Sequence, residues 1–146
     1  MKYIYTLLFS LLLPWTLTAH DLIIKNGTLG VDATVQKIEK IIASQKALSI
    51  FGIIDHKAAA QKVDMTLSDT KVILFGNPKM GTKFMQKDHL TAIDLPLKIL
   101  VYSDNGATKI VYRNPKSWSK GFDLGELKLL TKMENALDKI TTKVMQ

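Results

Sequence analysis

Apolar and polar positions along the chain fall into two rhythms, one of helical period and one of strands. Val35, Ile38, Ile41 and Ile42 recur at helical spacing, with Gln36, Lys37, Glu39 and Lys40 between them. This predicts an amphipathic helix from Asp32, as N-cap, to about Ala47. A second helical stripe, Leu127, Leu130, Met133, Leu137, Ile140 and Val144, predicts a long final helix capped by Asp123. Strand signals occupy the rest. Leu22 to Lys25 is a short strand ending at the Asn26-Gly27 turn, and Ser49 to Asp55 is a second. Val72 to Phe75 is an unbroken apolar run, as expected of a strand buried on both faces. Ile93 to Ser103 reads as a long strand in which Pro96 requires an edge or a bulge. Asp104-Asn105-Gly106 predicts a tight hairpin leading to the return strand Lys109 to Arg113.

The element order is therefore β-α-β-β-β-β-α, with short helical insertions at Lys57 to Lys62 and from Pro78 to about Lys87. Consecutive strands late in the chain imply an α+β fold. The expectation is a mostly antiparallel sheet of about five strands with the two main helices on one face.

Two junctions carry the chemistry. Gly76-Asn77-Pro78 stops the central strand, because Pro78 cannot donate to a ladder and biases Asn77 away from helical backbone angles. Asn77 as N-cap with Pro78 at the first helical position would gather free N–H groups around Met80 and Gly81, beside the charge of Lys79. That combination suits a small anion. The bland alternative is an ordinary helix start next to a solvated lysine. At the other junction, Asp55-His56 could supply acid–base chemistry, or Asp55 could simply cap the next helical turn. The sequence expectation is that Asp55, His56, Asn77, Lys79, Gly81, Thr82 and Asp94 converge on one polar cleft. Phe51, Phe75, Phe84 and Met85 would form its apolar wall.

Composition narrows the setting. Lys2, the apolar run Tyr3 to Leu13, Pro14 and Leu17-Thr18-Ala19 have the layout of an export signal over residues 1–19. A single domain over residues 20–146, periplasmic or secreted, is expected to follow. No stable membrane insertion is expected after cleavage. The absence of cysteine excludes disulfides, thiolate catalysis and a lipid-modified cysteine anchor. The formal charge is +7, and removing Met1 to Ala19 takes away one lysine and no acid, leaving +6. Nearly all of it is dispersed lysine, with Arg113 the single arginine, a pattern unlike sequence-specific nucleic-acid readers. The excess favours solubility and anionic partners.

The quoted segments resemble one family, the domain of unknown function 302. Ile54-Asp55-His56, Leu74-Phe-Gly-Asn-Pro-Lys79, Gly81-Thr82, Met85-Gln86 and Asp94-Leu-Pro-Leu-Lys98 look like its signature in order and spacing. The likeness is carried by about residues 32 to 115. It implies a TATA-box-binding-protein-like α+β sheet that often forms a homodimer. It implies no reaction or cofactor, so no catalytic residue is carried over. The chain departs from the pattern where relatives place an Arg-His pair before a glycine, since Trp118-Ser119-Lys120 precedes Gly121 here.

Four functions follow as expectations. The first is a non-enzymatic module binding a small anion or metabolite and able to dimerise. The second is an enzyme using Asp55 and His56, without a cysteine nucleophile or a G-x-S-x-G elbow. The third is copper handling through Met80, Met85 and His89, with His20 as a possible new N-terminus. The last is a structural or partner-binding role in which a sheet edge such as the Pro96 strand pairs with another subunit.

Overall fold

The computed structural model describes residues 21–125 and 128–146. The residues read as an export signal, and His20 with them, lie outside this range. Five strands form one antiparallel sheet: β1 (Leu22–Asn26), β2 (Ser49–Asp55), β3 (Thr70–Gly76), β4 (Leu97–Asp104) and β5 (Ala107–Arg113). Their order across the sheet is β1-β5-β4-β3-β2, with every neighbouring pair antiparallel. Helix α1 (Val31–Ala43) connects the two edge strands, and α4 (Lys128–Val144) packs beside it. Short helices α2 (His56–Gln61) and α3 (Pro78–Lys87) follow β2 and β3. Two 3-10 helices, His89–Ile93 and Pro115–Lys120, precede β4 and follow β5.

Strand alternation explains the single core. Ile73 and Phe75 of β3, Ile99 and Val101 of β4, and Ile110 and Tyr112 of β5 all point toward the two long helices. They meet Val35, Ile38 and Ile42 of α1 and Leu130, Met133, Leu137 and Ile140 of α4. Trp118 fixes the lower corner, meeting Phe84 of α3 edge-on at 5.6 Å between ring centroids and Phe122 at 5.9 Å. Lys25 ties β1 to α4: its Nζ donates to Asp138 Oδ1 at 2.6 Å and Thr142 Oγ1 at 2.9 Å, 5.9 Å from the Tyr112 ring centre. Burial pushes the Tyr112 hydroxyl above its ordinary pKa.

The α+β architecture, strand count and element order are those expected; several boundaries differ for local reasons. Gly30, not Asp32, is the N-cap of α1, and Asp32 sits in the first turn, where its charge meets the positive helix end. The strand expected from Ile93 begins only at Leu97. Asp88 caps a 3-10 turn through the Leu90 amide, and the Leu95–Pro96 peptide is cis, so Pro96 lies before the ladder rather than within it. Asp123 does not cap α4. It is non-helical, as are Leu124 and Gly125, which has a φ of +63°, and the described helix begins at Lys128. Leu127 lies outside the described residues. The Asp104 hairpin has the expected left-handed pair, Asn105 at +50° and Gly106 at +84°. A register irregularity lies between Ile50 and Gly52 of β2.

Candidate functional site

The register decides which candidate residues can meet. Ser49 at the start of β2 lies opposite Gly76 at the end of β3, and Asp55 lies opposite Lys71 near the start of β3. Asp55 and His56 are thus at one end of the sheet, and Asn77 and Pro78 at the other, roughly 20 Å away along a seven-residue strand. The expected convergence of Asp55 and His56 with Asn77, Lys79, Gly81, Thr82 and Asp94 does not occur. Antiparallel pairing sends the last residue of one strand to the first of the next.

At the Asp55 end the charges satisfy one another. Asp55 Oδ1 accepts the Ala58 amide at 2.8 Å, as an N-cap. Lys71 Nζ lies 2.7 Å from Asp32 Oδ1 and 3.1 Å from Asp55 Oδ2. The Ala58 hydrogen bond, and after it Lys71, hold the Asp55 carboxyl below its usual pKa, while Asp32 and Asp55 push Lys71 up. A carboxylate so stabilised is a poor proton acceptor. The cluster braces the start of α1 against the β2–α2 junction.

The opposite end holds a cleft of about 750 Å³ between α3, α4 and the ends of β3 and β4. The expected wall is here: Phe51, Phe75, Phe84 and Met85 all line it, with Leu48, Met80, Leu95, Leu97 and Met133. Of the candidate polar residues, Asn77, Gly81 and Thr82 line it, whereas Lys79 and Asp94 do not. The expected cradle of free amides is absent. The Met80 N–H donates to Asn77 Oδ1 at 3.1 Å, and the Gly81 N–H to the Asn77 carbonyl at 2.9 Å. The Thr82 hydroxyl donates to the Pro78 carbonyl at 2.9 Å. The cleft therefore presents hydrocarbon and thioether surface.

Lys79 belongs to an adjoining hollow of about 140 Å³, which it shares with Lys83 and Lys132. Asn77, Met80 and Lys132 line both spaces, so the two are contiguous. Three lysines from α3 and α4 thus border the apolar cleft. None makes an ion pair among the described residues. Lys83 could have been found from its spacing, one helical turn after Lys79. Lys132 had no such signal, because only the packing of α4 brings it there. Met80 and Met85 of the copper expectation are part of the apolar lining. Among the described residues no three His, Cys, Asp or Glu side chains form a metal-binding group. No described helix is long and apolar enough to cross a membrane.

A family model described as "Domain of unknown function DUF302" matches residues 24–143. The fluoride-specific ion channel FluC 1 of Brucella suis biovar 1 is 31% identical over 101 residues, which cover 66% of this chain and 40% of the channel. FluC 1 of Brucella abortus biovar 1 is also 31% identical over 101 residues, covering 37% of that channel. The chain thus spans about two-fifths of the length of the curated relatives it matches. The crystal structure of an uncharacterized conserved DUF302 protein from Bacillus stearothermophilus aligns with a TM-score of 0.69 at 16% identity. It covers 87% of this chain and 97% of that one. At that identity the likeness is one of fold.

Proposed function

Because the chain belongs to the DUF302 family of domains of unknown function, no reaction comes with its name, and we propose from its geometry that it binds a small amphipathic anion without transforming it. The observation that carries this reading is the continuity of the apolar cleft with the hollow ringed by Lys79, Lys83 and Lys132. A hydrocarbon body would bury itself against Phe51, Phe84 and Met85, and a carboxylate, phosphate or sulfonate head would meet the lysines. The volume is within the range of small-molecule sites, which join apolar walls to a few polar anchors. Methionine-rich linings adapt to ligands of differing shape. The enzymatic alternative draws no support from Asp55, whose carboxylate is engaged by Ala58 and Lys71 far from the cleft.

Calorimetry with decanoate, decanol and inorganic sulfate tests this reading. Decanoate should bind, and the other two at least tenfold more weakly. The Lys79→Gln/Lys83→Gln/Lys132→Gln variant should bring decanoate down to the level of decanol. Equal binding of decanoate and decanol to the wild type would remove the anionic head from the proposal. Failure of Met85→Asp to weaken decanoate would remove the cleft.

Export belongs to the same proposal, supported by the layout of residues 1–19, as does a homodimer, supported by the family resemblance. Whether the 101-residue likeness to the Brucella channels extends to fluoride chemistry is a separate proposal, on which the cleft offers no small polar cage. N-terminal sequencing of protein from a cell-envelope extract and sedimentation velocity are the measurements for export and dimer; an intact Met1 and a monomer would remove them.

A further inference from the structure

The sheet has a second apolar layer that the core does not use. Alternation puts Ile24, Ile54, Val72, Leu100 and Val111 on the face away from α1 and α4. The register aligns them: Ile54 is opposite Val72, Val72 opposite Leu100, Leu100 opposite Val111, and Val111 opposite Ile24. The row crosses all five strands, about 19 Å at ordinary strand spacing. None of the five belongs to the helix-side core cluster. Ile24 and Ile54 at the edges are 60% and 43% exposed, Val72 and Leu100 are half-buried, and Val111 between Leu100 and Ile24 is 6% exposed.

Positive charge flanks this row on both sides. Lys98, opposite Leu74, and Arg113, opposite Leu22, border it toward the cleft end; Lys109, opposite Tyr102 and Asn26, borders it toward the hairpin. Lys109 Nζ donates to Asn26 Oδ1 at 2.8 Å, and Lys98 Nζ to the carbonyls of Asp94 and Pro96 at 3.3 Å. None of the three cations is ion-paired with a carboxylate among the described residues. The acid at a strand position on this face is Asp104, at the hairpin tip beside Asn105.

We propose that this face docks on an anionic lipid surface, with the aliphatic row at the acyl boundary and Lys98, Arg113 and Lys109 among the headgroup phosphates. A second copy laid face to face would bring three cations of each molecule against those of the other, with Asp104 at the hairpin tip the one strand acid to offset them. A protein partner is favoured by pockets and aromatic anchors. At positions in register with the row this face carries one aromatic residue, Tyr102, and the large cleft reaches only its end, where Leu74 lines both. A bilayer needs neither. It offers anionic charge above an apolar layer, the two chemistries that the row and its margins present.

Co-sedimentation of the full chain with vesicles of pure phosphatidylcholine, or with about 30% phosphatidylglycerol, tests the proposal. Binding should require phosphatidylglycerol and fall with added salt. Lys98→Gln/Lys109→Gln/Arg113→Gln should weaken it about 100-fold, roughly fivefold for each charge removed. Ile24→Ser/Ile54→Ser should weaken it several-fold with the thermal midpoint of a folded protein retained. Lys79→Gln/Lys83→Gln should leave it unchanged, which separates this face from the amphipathic-anion cleft. Equal binding to both vesicle types, no binding to either, or indifference to the triple substitution would overturn the proposal. Capture on polyglutamate without vesicle binding would overturn it too, in favour of an acidic protein.

Discussion

Asp55 and Asn77 occupy the same local position, N-cap of a short helix directly after a strand, and each spends its side chain on the amide three residues ahead. Both caps were legible because capping is a matter of adjacent residues. Their neighbourhoods differ. Asp55 also faces Lys71, and its carboxyl is held below the ordinary value of 3.8. A lowered folded-state pKa means that ionised Asp55 stabilises the fold above the unfolded pKa and ceases to do so as pH falls through the folded one. Asp55→Asn should therefore be less stable than wild type at neutral pH. The gap should be complete above pH 3.8 and close on further acidification. Urea midpoints measured from neutral pH down to about pH 2 check this; a gap that widened in acid would contradict it. Replacing Asn77 by Ala removes the Met80 bond and should cost about 1 kcal/mol, independent of pH.

Helix α3 forms one wall of the cleft, and it is held from behind rather than by its own length. At ten residues it is below the size at which isolated helices persist. Its fixed point is Phe84, 1% exposed and set edge-on against Trp118. Phe84→Ala should cost about 3–5 kcal/mol through reduced burial and the cavity left behind. Ligand binding should weaken in the same variant, since the wall bearing Met80 and Met85 loses its anchor. Differential scanning calorimetry paired with the decanoate titration reads both effects; loss of stability with unchanged affinity would mean that α3 needs no such anchor. At this scale the sequence spoke clearly where hydrophobic period and punctuation agreed, as in β2, β3 and α3. It misled at Ile93, where apolar character suggested a strand but the Asp88 cap and Pro96 impose a 3-10 turn. The apolar wall is recognisable as a set of residues. The polar partners expected beside it are not, because proximity to a strand end does not say which end of the sheet that is. Consecutive antiparallel strands already imply that Asp55 and Asn77 lie apart, so that part was within reach of pairing logic. The Lys132 contribution was not, because it depends on how α4 seats against α3.

Across the whole molecule, the strand order β1-β5-β4-β3-β2 places the first strand against the last one made. Leu22 pairs with Arg113, Lys25 finds its carboxylate at Asp138, and the Thr28 hydroxyl donates to the Met145 carbonyl at 3.5 Å. The middle of the sheet, by contrast, is built from neighbours in sequence. During synthesis, then, residues 22–26 have no ladder until the ribosome has passed position 113, and Lys25 has no counter-charge until position 138. A nascent chain stalled at Asp104 should remain open to protease at its front end, whereas release of the complete polypeptide should protect it; pulsed proteolysis of stalled and released chains would measure the difference. Late closure of this kind leaves the leading strand waiting for its ladder until synthesis is nearly over, so any event that must reach residues 22–26 as an open chain has the whole of elongation in which to do so.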